Sequence, residues 1–197
     1  MMTDPAAHEP ASTASVWIVI GVLGIIGLTV TMLTAPFAQL MGPGQEAIRG
    51  ALHGTVAMLF MVTSTIGLFQ AYRILGGRAW NVAELQFGSV TNAMLALLTI
   101  ISGNWVYIPY RSPTGPRNYF LQIAPGVHKV FFEFKEFAAL FTFPLAATVA
   151  YLLIRYGGDL YRRRELSTIV AGLLVLVFFY LVVAFGLGAA ITKVRAV

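Results

Sequence analysis

Five stretches of this chain lack Asp, Glu, Lys and Arg for long enough to cross a bilayer: residues 10–45, 50–72, 85–110, 137–154 and 166–192. A helix needs about 20 apolar residues to traverse the hydrocarbon core. A chain of 197 residues with 58% hydrophobic residues, 11% charged residues and a mean hydropathy of +0.78 lies far outside the composition of soluble domains. These features exclude a soluble globular enzyme and imply an integral membrane protein.

The stretches are apolar around their whole circumference and lack the period-two alternation of outer-membrane strands, so helices are expected instead of a barrel. The expected fold class is all-α, a polytopic membrane helical bundle with five transmembrane helices near 15–37, 46–74, 83–109, 125–156 and 165–192. A polar N-terminal tail, 1–14, precedes one transmembrane domain, 15–193, with no separate soluble module. The opening MMTDPAAHEPASTAS carries two acids and no Lys or Arg, so it lacks the basic region of a cleavable signal peptide and the first helix is expected to be retained. The proline- and glycine-rich segment 111–126 is expected to be a turn-rich cap without a helix of its own.

A net charge of +5 and a pI near 9.7 would suggest nucleic acid in a soluble protein, but here the basic residues fall in short loops beside the spans. Five helices place the N-terminus and the loops after helices 2 and 4 on one face, A, with Arg73, Arg78, Arg155, Arg162, Arg163 and Arg164. The opposite face, B, carries Arg49, Arg111, Arg117, Lys193 and Arg195. The dense YRRR run at 161–164 favours face A, and hence the N-terminus, as the cytoplasmic side of the inner membrane.

Nearly all the unusual chemistry converges on face B. Helix 2 begins with Arg49, Gly50, His53 and Gly54; helix 3 ends in GNWVYIPYR with Tyr107, Tyr110 and Arg111; helix 4 opens with His128, Lys129, Glu133, Lys135 and Glu136. With no cysteine there can be no disulfide, thiolate cluster or CxxCH haem attachment, so a redox centre would rest on His, Met or carboxylate. A b-type haem in a bundle needs axial imidazoles from different helices, with basic groups near its propionates. His53 and His128 are the candidate axial and metal ligands. Gly50 and Gly54 leave room for a flat ligand beside the imidazole, and Arg49, Arg111, Arg117, Tyr107 and Tyr110 are candidate propionate partners.

Glu133, Lys135 and Glu136 form a second candidate, a proton path or quinone-headgroup site. Each feature has a plainer reading. Small residues also let helices approach closely, aromatic residues such as Trp80 and Trp105 also form interfacial belts, and Asn92 and Gln70 also bond between helices. A di-metal carboxylate site is disfavoured, because helices 1, 2, 3 and 5 hold no acid within their uncharged spans.

On the pair His53 and His128, the helical core resembles the small multi-helix b-type cytochrome subunits that anchor respiratory dehydrogenases in the membrane. The resemblance implies a haem b and electron passage between a partner redox subunit and the quinone pool; lacking a second intramembrane histidine pair, this chain would hold one haem. The expectation is a non-catalytic electron-transfer subunit of a respiratory complex, with one haem b between helices 2 and 4 and a quinone as further ligand. Its partners would be the lipid bilayer and other subunits of the complex, with no nucleic acid. The alternatives are a cofactor-free accessory subunit docking a partner through face B, and a small proton-coupled transporter.

Overall fold

The computed structural model describes residues 45–78 and 81–194. The N-terminal tail, the expected first helix at 15–37, Trp80 and Arg195 lie outside the described residues.

Among the described residues, four helices are long and apolar enough to cross a membrane. They are α1 (Gln45–Leu75), α2 (Val82–Tyr110), α4 (Glu133–Tyr156) with a π-helical turn (Val127–Phe132) in front of it, and α5 (Arg164–Val194). At 1.5 Å per residue each long helix exceeds the roughly 30 Å of a hydrocarbon core. Counting the π-helical turn with α4, the observed limits agree with the expected helix bounds 46–74, 83–109, 125–156 and 165–192 to within two residues at each end.

Local chemistry sets the ends. Gly77 sits at φ 65° in the left-handed region, which glycine adopts without steric cost. Its amide bonds to the Ile74 carbonyl, and that of Arg78 to the Arg73 carbonyl, closing α1 as a Schellman motif. Asn81 then caps α2, its side chain accepting from the Ala83 amide at 2.9 Å.

The segment 111–126 departs from expectation, because it contains a two-turn helix, α3 (Pro116–Ile123). Turn-forming residues dominate the segment's composition, yet Pro116 occupies the first helical position, where its missing N–H costs nothing. The buried Phe120 anchors the short helix to the bundle.

The four long helices form a square in which α1 packs on α2, α2 on α4, α4 on α5 and α5 back on α1. Consecutive helices run antiparallel, the up-down-up-down arrangement that short connections permit. Three layers fill the interior. Near face A, Ile74, Leu85, Val149, Leu153 and Leu174 pack together. The middle layer is built on Phe60, Ala93, Ala96, Ala146, Val177 and Leu181. Near face B, Tyr110, Phe120, Phe132 and Ile191 form an aromatic cap.

Polar bonds fix the register between these layers. Thr63 donates to Asn92 Oδ1 at 2.6 Å across α1 and α2, and Gln86 donates to the Leu153 carbonyl at 2.9 Å across α2 and α4. Outward-facing side chains such as Val62, Ile66, Phe69, Phe137 and Ile154 are apolar and exposed, as contact with a lipid bilayer requires.

Candidate functional site: a cavity beneath the face B cap

Between the middle layer and the aromatic cap lies a cavity of about 500 Å³, with walls from all four long helices. Phe60 and Leu181 form its floor; Tyr107, Phe132 and Ile191 belong to its roof. The space exists because residues with little side chain meet at this level: Gly50, Gly54 and Ala57 on α1, Gly103 on α2, Ala139 on α4, and Ala184 and Gly188 on α5. Such a volume falls within the range of small-molecule sites.

His53 lines this cavity. Its Nδ1 is 3.1 Å from the Ser102 hydroxyl on α2, which lies close to the Leu98 carbonyl at 2.7 Å and the Thr99 carbonyl at 3.2 Å. Gly103 makes room for the ring, since a Cβ there would come within 3.1 Å of His53 Cε1.

Lys135 and Glu136 also line the cavity. The Lys135 stem crosses to α5, where its Cε would lie 3.6 Å from a Cβ at Gly188, and its ammonium sits 4.9 Å from the centre of the Phe132 ring. Glu136 interacts with Lys135, with the Tyr107 hydroxyl and with the Arg111 guanidinium. Glu133, grouped with these two in the sequence, points to the outside and does not line the cavity. Opposite charges in one cavity offset one another and leave its polar end close to neutral.

His128 stands in a different environment. Buried at 2% exposure, its Nε2 accepts from Arg117 Nε at 3.2 Å, so the ring is neutral with its proton on Nδ1, which donates to the Tyr110 hydroxyl at 2.9 Å. Both nitrogens are therefore engaged by protein, and the ring is not part of the cavity wall. For His128 to bind iron it would have to give up the Arg117 bond. Tyr110 stacks on Phe132 with ring centres 4.3 Å apart, Tyr107 stacks on Phe132 at 5.7 Å, and the Arg111 guanidinium lies 4.5 Å over Tyr107. Arg49 lies 5.9 Å over Trp105.

The candidate residues thus divide into two groups. Gly50, His53, Gly54, Tyr107, Lys135 and Glu136 meet around the cavity, whereas Tyr110, Arg111, Arg117 and His128 build and bind the cap above it. Three contributors were missed from sequence: Ser102 and Gly103 behind His53, and the Ala184–Gly188 face of α5. For α5, the i, i+4 spacing of Ala184 and Gly188 was the available signal.

Comparison with family models, curated proteins and solved structures gives no match to this chain.

Proposed function

We propose that this chain is a non-catalytic membrane subunit of an electron-transfer complex that holds a quinone-class ligand in the face B cavity. The observation that carries the reading is the mixed lining of the cavity: the ionisable His53, Lys135 and Glu136 and the polar Thr99, Asn104, Tyr107, Thr142 and Thr192 share it with a majority of apolar and small residues. A head with hydrogen-bonding oxygens fits the first, and a hydrocarbon ring and tail fit the second. Because Lys135 and Glu136 offset one another, a neutral head suits the site better than a free carboxylate or phosphate, which would leave one member of the pair uncompensated.

Met58 and Leu140 support an opening for the tail, since both line the cavity and both are 57% exposed on the apolar outer surface. The test is titration of the protein in lipid nanodiscs with a decyl-substituted benzoquinone. Saturable binding that is weakened in Glu136→Gln and Lys135→Met is expected; binding indistinguishable from that to empty nanodiscs contradicts the proposal.

One observation favours a haem b as a second reading: His53 is an imidazole on a cavity wall faced by small residues. The residues fit a single axial ligand, while the engaged nitrogens of His128 do not fit a second one. A reduced-minus-oxidised spectrum in which a haem signal disappears in His53→Ala and persists in His128→Ala would favour this reading; no haem signal removes it.

A further inference from the structure

Ser102 stands behind His53 and links its imidazole to the backbone of α2. Ser102 does not itself line the cavity, although Thr99, Ile100, Gly103 and Asn104 around it do. Its hydroxyl has one proton, and two backbone carbonyls of its own helix, Leu98 at 2.7 Å and Thr99 at 3.2 Å, are the acceptors for it. Towards His53 Nδ1, 3.1 Å away, the hydroxyl therefore presents a lone pair, and the Thr99 backbone, which also bonds the imidazole, likewise offers it an acceptor oxygen. The contact is a hydrogen bond only if Nδ1 carries the proton. In the neutral ring Nε2 is then left with its lone pair, since each ring nitrogen's role follows from the bond the other makes.

We infer that Ser102 is a positioning residue that fixes the His53 tautomer, and that the cavity consequently selects the hydroxyl-bearing hydroquinone form at His53. This rests on the quinone-class reading and specifies it. A hydroquinone O–H donates to Nε2, whereas a quinone carbonyl facing the same nitrogen sets lone pair against lone pair. Lys135, a donor, serves a second ligand oxygen in either redox form, and the Glu136 carboxylate already interacts with Lys135, Tyr107 and Arg111, so the discrimination falls on His53. Rejection of a partner lacking the required hydrogen-bonding group is the usual source of strong specificity in a buried polar site.

The experiment has two parts. In protein carrying 15N-labelled histidine, with His53 assigned by difference from His53→Asn, nitrogen shifts measured without ligand report the tautomer directly. The proton is expected on Nδ1 in the unmodified chain and in Ser102→Thr, which keeps the hydroxyl, and shifted towards Nε2 in Ser102→Ala. Anaerobic nanodisc titrations then compare a decyl-substituted hydroquinone with its quinone. A preference for the hydroquinone of about ten-fold, the worth of one hydrogen bond, is expected in the unmodified protein and in Ser102→Thr, and is lost in Ser102→Ala.

A proton on Nε2 of the unmodified protein overturns the inference, as does equal binding of the two forms. If neither form binds, the quinone-class reading itself fails, and the ligand part of the inference with it; the tautomer assignment is then judged by the nitrogen shifts alone.

Discussion

Gly103 and Tyr110 show how single residues divide the work at face B. A methyl group at Gly103 would press on the His53 ring at 3.1 Å, so Gly103→Ala moves the imidazole while leaving every helix in place. We expect that variant to fold normally and to bind a decyl-substituted hydroquinone about five-fold more weakly, from the loss of part of one hydrogen bond, as measured by nanodisc titration. Tyr110 has a structural role instead: its hydroxyl oxygen accepts a hydrogen bond from His128 Nδ1 at 2.9 Å within the cap. Tyr110→Phe keeps the stacked ring and orphans that buried donor, at an expected cost of about 1–3 kcal/mol. Thermal unfolding in detergent should reveal it, with ligand affinity little changed.

At the scale of elements, the charge-free runs made the four described spans legible, because charge is expensive at membrane depth and each run lies inside one helix whose charged turns extend beyond it. The helix α3 was not legible, because prolines and glycines mark turns regardless of what lies between them, and it takes the burial of Phe120 against the bundle to stabilise two turns. The partners of the two histidines were hidden for a related reason. His53 meets Ser102, and His128 meets Tyr110 and Arg117, through interhelical register and a turn, neither of which spacing along one helix encodes.

The connection after α4 supplies a prediction at this scale. A Cβ at the buried Gly157 would approach Val82 Cγ1 to 2.7 Å and Gln86 Nε2 to 3.0 Å, beside the Gln86 bond to the Leu153 carbonyl. Gly157→Val should therefore disturb the face A end of α2 and α4, lowering the unfolding temperature by several degrees, about 1–3 kcal/mol of overpacking. Because the cavity lies at the other end of the bundle, binding at saturating ligand should survive in the fraction that folds.

Among the described residues, the face A half of the bundle is filled by Ile74, Leu85, Val149, Leu153 and Leu174, whereas the cavity lies beneath the face B cap, a distribution expected when one part of a bundle is kept open for a ligand. A chain selected for stability alone has no reason to place Gly50, Gly54, Gly103, Ala184 and Gly188 around a single level, since filling such a space is a common route to stabilisation. Ala184→Leu, a substitution at a buried cavity-lining position, should raise the unfolding temperature of ligand-free protein and abolish ligand binding together. A purely accessory subunit would show the first effect without a second to measure.

The most direct test of the central claim is native mass spectrometry of the protein released from its own membrane. We predict one quinone-class molecule bound per chain, displaced in Ala184→Leu. A chain carrying no small molecule, or only phospholipid retained equally by Ala184→Leu, would contradict the account.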